Sequence, residues 1–323
     1  MTSDFFTTFS GPLEGTDGAP SLAGPGAFTD EAFIGWELRQ FLGQGSFGAA
    51  YKATLRDGRT VCVKVVELVS LDPKCVERFR TEMEVMQRLN HPNIVQYYGL
   101  MEDKEKDTLN IFMEYVDGGS LASFAKAHNV HAPLSEGTLR DWSRQMLCGV
   151  KYLHDSGVIH RDIKGDNILV RKEGGVLKLA DFGCSKLTND LDAKTYVCTS
   201  AKGTVLWMAP EVFYGEANGA KADIWSVGCT IIEMITGKPA WSSFVAMKTF
   251  LDAKKQPLFF AEKHEYLSPA FVGLLKRMFE IAESQRPSAA ELLDDPLFAV
   301  SPVGVQVVQS KEKGEACDFS DTS

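Results

Sequence analysis

The sequence predicts an α+β fold of two lobes, a small antiparallel β-rich lobe followed by a larger helical one. Three observations predict it. Short alternating or β-branched runs fill residues 36–116, three glycines at G-x-G-x-x-G spacing sit among them, and helical patterns dominate from about Ser120 onward. At 323 residues the chain is long enough for two packed lobes with a large buried core.

Taken in order, residues 1–32 are rich in Gly, Pro, Ser and Thr and read as a flexible tail. WELRQFLGQG, AAYKATL and TVCVKVVEL then read as strands, with Asp57-Gly58 as the hairpin turn between the last two. A helical pattern runs from about Lys74 to Leu89, and NIVQYYGL and TLNIFMEYV read as further strands. TLRDWSRQMLCGVKYLHDSG, DIWSVGCTIIEMITG and AFVGLLKRMFEIA are helical, and residues 299–323 form a second polar tail.

Composition excludes several classes of function. A net charge of -9 gives no general electrostatic attraction to nucleic acid. The seven cysteines are odd in number and hold no C-x-x-C pair, so they read as reduced thiols and not as a disulfide framework or zinc site. No apolar run approaches the length of a membrane span, and the N-terminus lacks the order of a secretory signal. The expected compartment is the cytoplasm, with the nucleus left open.

Gly43, Gly45 and Gly48 admit three readings: a dinucleotide turn, a cover over ATP phosphates, or a plain turn. A dinucleotide fold wants strand, turn and helix, whereas here a second strand follows. A P-loop wants Gly-Lys-Ser/Thr, whereas Ala49 follows Gly48. The functional reading that remains is a glycine-rich hairpin over a nucleotide, with Ser46 and Phe47 at its tip. Glycine lets backbone amides approach phosphate oxygens closely.

Downstream come VCVK with Lys64, Glu82, HRDIKGDN (160–167), DFG (181–183) and APE (209–211). In this order the set resembles that of the protein kinases, and the resemblance covers Trp36 to Phe298. It implies a bilobal protein-kinase-like fold, with an N-lobe over 33–116 and a C-lobe over 117–298. It also implies ATP as phosphoryl donor and Mg2+ as the metal. Phosphoryl transfer needs alignment and charge neutralisation more than covalent help, which suits these residue types.

By this resemblance Lys64 holds the α- and β-phosphates and pairs with Glu82, Glu84 being the structural alternative. Asp181 and Asn167 ligate magnesium through hard oxygens. Asp162 accepts or orients the proton of the attacking hydroxyl. Lys164 binds the γ-phosphate, and Thr204 hydrogen-bonds Asp162 and Lys164. H-R-D-x-K with that Thr resembles the Ser/Thr-specific pattern. Around the nucleotide, Leu42, Ala50, Cys62 and Leu169 enclose the adenine. Met113 is the gatekeeper, Glu114 to Val116 the hinge, and Ser120 the ribose-side group.

Further positions are architectural by the same resemblance. Glu211 and Arg286 form a buried pair, and Asp223 braces the HRD backbone. Met86, Tyr97, His160 and Phe182 stack across the lobes, although a plain core role suits Met86 and Tyr97 equally. Ala50 replaces a usual Val and Cys62 a usual Ala. Two lost methyls cost on the order of 1.5 kcal/mol of contact, and the Cys62 sulfur refills part of that space. A slightly reshaped adenine ceiling is expected, with Cys62 packed and not catalytic. Val205 replaces a usual Pro, and Asp295-Pro296-Leu297-Phe298 stands where H-P-F is usual.

HPNIVQYYG, EYVDGGSL, WMAPEV and GCTIIEMITGKPAW together resemble the MAP kinase kinase kinase (Ste11-like) group, with the Ste20-like kinases as the alternative. The implied substrate is a MAP kinase kinase. An upstream kinase acting on Thr195, Thr199 or Ser200 is a further implied partner. Arg161 would receive that phosphate, helped by Lys186, Lys194 and Lys202. A catalytically silent scaffold is disfavoured because Lys64, Asp162, Asn167 and Asp181 are all present.

Overall fold

The structure is a computed structural model that describes residues 33–45, 48–68, 83–128, 134–182, 186–187, 204–216, 219–253, 255–261 and 264–299. Five antiparallel strands form the first lobe: β1 (Glu37–Gly45), β2 (Gly48–Thr54), β3 (Thr60–Glu67), β4 (Tyr97–Asp103) and β5 (Thr108–Glu114). Their order in the sheet is β1-β2-β3-β5-β4. The β2–β3 turn forms where the sequence predicts it. Gly58 takes φ +86°, and Asp57 Oδ1 accepts a hydrogen bond from the Arg59 backbone N–H at 3.0 Å.

Strand alternation gives β3 its two roles. Val61 and Val63 face a small core with Phe33, Ala53, Leu55 and Phe112. Cys62 and Lys64, on the other face, reach the cleft between the lobes. The helical segment α1 is described over residues 83–88, where Met83 and Met86 are buried.

One expectation changes. NIVQYYGL is a strand only from Tyr97. The preceding backbone is bound by the other lobe: Val95 N–H donates to Leu179 O, Leu179 N–H donates to Asn93 O, and Ile94 forms an isolated parallel bridge with Leu179. Local β-propensity is met there by a partner distant in sequence.

The second lobe contains α2 (Leu121–His128), α3 (Glu136–Asp155), α4 (Pro210–Phe213), α5 (Lys221–Thr236), α6 (Phe244–Asp252), α7 (Pro269–Met278) and α8 (Ala289–Leu293). The predicted third long helix ends at Met278, short of the Ile281-Ala282 reach of its sequence pattern. Short strands β6 (Val158–Ile159), β7 (Ile168–Val170), β8 (Leu177–Leu179) and β9 (Lys186–Leu187) form two small antiparallel pairs, β6 with β9 and β7 with β8. Helix α5 is buried from Ala222 to Ile235, as a helix apolar on nearly all sides must be, and Gly237 ends it in the left-handed conformation. Among the described residues no helix is long and apolar enough to cross a membrane.

Candidate active site

A cleft of about 720 Å³ lies between the lobes, within the usual size of a small-ligand site. Leu42, Gly43, Gly45, Gly48 and Ala50 line it from β1 and β2, and Cys62 and Lys64 from β3. Met113, Glu114, Val116, Ser120 and Leu169 also line it. Gly48 is obligatory here: its φ is +149°, and a Cβ would sit 2.1 Å from Val65 O. At Gly45 a Cβ would lie 3.8 Å from Asp181 Oδ2, so Gly45 sits close over that aspartate. Ser46, Phe47 and Glu82 lie outside the described residues. Glu84, the alternative partner for Lys64, is exposed.

Lys64 Nζ donates to Asp181 Oδ1 at 2.5 Å, joining the two lobes across the cleft. Opposite, Asp162 is held on both carboxylate oxygens. Lys164 Nζ donates to Oδ1 and Oδ2 at 3.1 and 3.0 Å, and Asn167 Nδ2 donates to Oδ2 at 2.7 Å. Because Asn167 spends its amide hydrogens on Asp162 Oδ2 and backbone O, its oxygen is the atom left for a cation. Asp181 and Asn167 therefore fit a hard divalent metal by the chemistry of their donors.

His160 fixes the loop from beneath. Its Nδ1 accepts from the Asp162 N–H at 3.3 Å, which leaves Nε2–H to donate to Ala180 O at 3.1 Å. Both bonds are satisfied with the proton placed on Nε2. The ring is 4.8 Å from that of Phe182, which meets Tyr97 edge-on at 5.8 Å, and Met86 belongs to the same buried cluster. Arg161 and Asp181 take φ of +67° and +58°, a region costly for residues with a Cβ. Asp223 helps hold Arg161 there, accepting from the His160 and Arg161 N–H groups at 2.9 and 2.8 Å. Burial works against the Asp223 charge, but the His154 hydrogen bond and charge, with His160 and the Arg161 N–H, hold it below its ordinary value.

The predicted buried pair is present. Arg286 grips Glu211 with two parallel hydrogen bonds of 2.6 and 2.9 Å. Thr204 opens a short turn, Thr204–Trp207, but its side chain lies outside the described residues, as do Thr195, Thr199 and Ser200. Ser120 Oγ accepts from the Ser123 N–H, opening α2 beside the cleft.

Two features escaped the sequence reading. Glu114 pairs with buried Lys178 at 2.8 Å and with Arg171, so the hinge is tied to the β7–β8 hairpin. Lys178 stands in an apolar strand, the same signal that singles out Lys64. Glu233, on α5, accepts from the Gly165 backbone N–H; its signal is a carboxylate within the apolar run of IIEMI.

Residues 36–298 match the family model for the protein kinase domain. With the two lobes, the glycine hairpin and this cleft, the chain belongs to the protein kinase family and has its bilobal fold. Mitogen-activated protein kinase kinase kinase 3 of Homo sapiens is 41% identical over 264 residues, covering 80% of this chain and 41% of that protein. Mitogen-activated protein kinase kinase kinase ANP1 of Arabidopsis thaliana is 39% identical over 275 residues, covering 81% and 40%. Mitogen-activated protein kinase kinase kinase A of Dictyostelium discoideum is 36% identical over 271 residues, covering 82% and 28%. The chain spans less than half the length of these relatives.

Proposed function

We propose that this chain transfers the γ-phosphate of ATP to Ser/Thr hydroxyls of a protein, as a MAP kinase kinase kinase acting on a MAP kinase kinase. The observation that carries the chemistry is Asp162, held by Lys164 and Asn167 in the cleft that Lys64 and Asp181 bridge. The names of the relatives support the tier and the substrate.

In this reading Asp162 presents a fixed carboxylate oxygen to the acceptor hydroxyl and takes its proton. Lys164, bound to both oxygens of that carboxylate, places a cation beside the transferring group. Lys64 holds the α- and β-phosphates against the glycine turn, and Met113 to Val116 bound the adenine. Asp181 and Asn167 would hold magnesium, which would supply charge neutralisation to the phosphates. Phosphate on Thr195, Thr199 or Ser200, placed by an upstream kinase, would meet Arg161 beside Asp162.

The test is magnesium-dependent transfer from γ-labelled ATP to a panel of inactive MAP kinase kinases and to a generic basic protein. Asp162→Asn and Lys64→Met should each lower kcat/KM by about 10²–10³. Transfer to the panel's activation-segment Ser/Thr supports the whole reading. Transfer to the generic protein alone removes the tier. No transfer, even after phosphorylation by an upstream kinase, removes the activity.

A further inference from the structure

Helix α5 carries polar side chains at Asp223, Ser226, Thr230 and Glu233. Steps of three, four and three residues place them on one face of a helix. Three of the four grip segments of the active site. Asp223 binds the His160 and Arg161 amides, Ser226 Oγ donates to Trp207 O at 2.8 Å, and Glu233 binds further along.

A single oxygen, Glu233 Oε2, accepts from two separate segments. The Gly165 backbone N–H donates to it at 3.0 Å and the Trp207 indole Nε1–H at 3.2 Å. Gly165 follows Lys164, whose ammonium rests on Asp162. Trp207 ends the Thr204–Trp207 turn, the segment just ahead of Ala209-Pro210-Glu211. Both side chains are about nine-tenths buried, each at 8% exposure. The fit is close: a Cβ on Gly165 would lie 2.7 Å from Glu233 Oε2 and 3.0 Å from Ala122 Cβ.

We propose that Glu233 is a positioning residue for phosphoryl transfer, joining the catalytic loop to the Thr204–Trp207 turn so that Asp162 and Lys164 stay in register with the bound acceptor. The inference rests on the phosphotransferase reading above. Removing the carboxylate leaves two buried N–H donors without an acceptor and frees the two segments from one another. An amide at this position keeps both bonds, because both end on the same oxygen.

The electrostatics provide an independent handle. Burial raises the Glu233 carboxyl to about 7, with the Asp166 charge adding to the rise. The Gly165 and Trp207 hydrogen bonds and the Lys164 charge oppose it. On its own helix, Cys229 is the titratable neighbour.

The test compares wild type, Glu233→Gln and Glu233→Ala on a generic protein acceptor at saturating ATP. The alanine protein should lose about tenfold in kcat with ATP KM changed by less than about twofold, and glutamine should restore most of the loss. In parallel, the Trp207 indole N–H signal of tryptophan-labelled protein, assigned by its absence in Trp207→Phe, is followed by NMR. It should titrate near the carboxyl's midpoint of about 7 in wild type and stay flat in Glu233→Gln. If the alanine protein does not fold, Trp207→Phe removes the indole donor alone and carries the same expectation for kcat.

An alanine protein with wild-type kcat overturns the proposal. So does a glutamine protein as impaired as alanine, a loss confined to ATP KM, or an indole signal that does not titrate. A wild type with no transfer overturns the phosphotransferase reading instead, and the titration, which needs no turnover, still decides whether Glu233 joins the two segments.

Discussion

The thiol of Cys62 lines the nucleotide cleft, yet burial pushes it up to about 11 against the lowering charge of Lys64. It is therefore a packing atom at neutral pH, as the sequence reading held. Native protein treated with iodoacetamide near pH 7 should leave Cys62 unlabelled, and urea-unfolded protein should label it; peptide mass spectrometry reads both. Glu233 makes the opposite kind of prediction. Its carboxyl stands above its ordinary value, so the native state binds the extra proton and ionisation costs stability. That group's contribution is most favourable below the ordinary value of 4.5 and declines as pH rises to about 7. Glu233→Gln should consequently melt higher than wild type at pH 8 and gain less at pH 5, as calorimetry would show.

At the scale of elements, α5 organises the larger lobe. Its burial on nearly all sides is legible in DIWSVGCTIIEMITG, and Asp223 was legible as the brace of the HRD backbone. Glu233 was not, because a lone carboxylate in an apolar run has no partner visible in sequence; Gly165 is 68 residues away. The same limit explains residues 93–95, whose strand-like sequence is bound by β8 across the lobe boundary. The Glu211–Arg286 pair joins α4 to the segment before α8. Arg286 is fully buried and also donates to Lys221 O and Glu280 O. Arg286→Ala should destabilise by about 3–5 kcal/mol, since it leaves Glu211 buried without its cation. Urea unfolding followed by far-UV circular dichroism checks this through a lowered midpoint.

Across the whole molecule, the cleft has both lobes as walls. Lys64–Asp181 spans it, and Glu114 pairs with Lys178 and Arg171 across the lobe boundary. A nucleotide bridging both walls stabilises the native state by mass action. Mg-ATP at about 100 times its Kd adds about 2.7 kcal/mol, a rise of about 5 °C in Tm for a domain of this size. Lys64→Met should abolish most of that rise in a thermal-shift measurement.

The sequence by itself determined the class of fold and the order of the lobes, and the motifs it shares with the protein kinases pointed to many of the residues that line the cleft. These follow from strand and helix periodicity and from motifs whose chemistry is local: glycines that free the backbone, and an aspartate, a lysine and an asparagine within one short loop. Only the tertiary structure decided how those groups meet. Asp181 came to Lys64 from 117 residues away, Lys178 to Glu114 from across the lobe boundary, and Glu233 to Gly165 and Trp207 together. The physical reason is that hydrogen bonds and ion pairs depend on distances of about 3 Å, and between residues far apart in the chain those distances are set by packing.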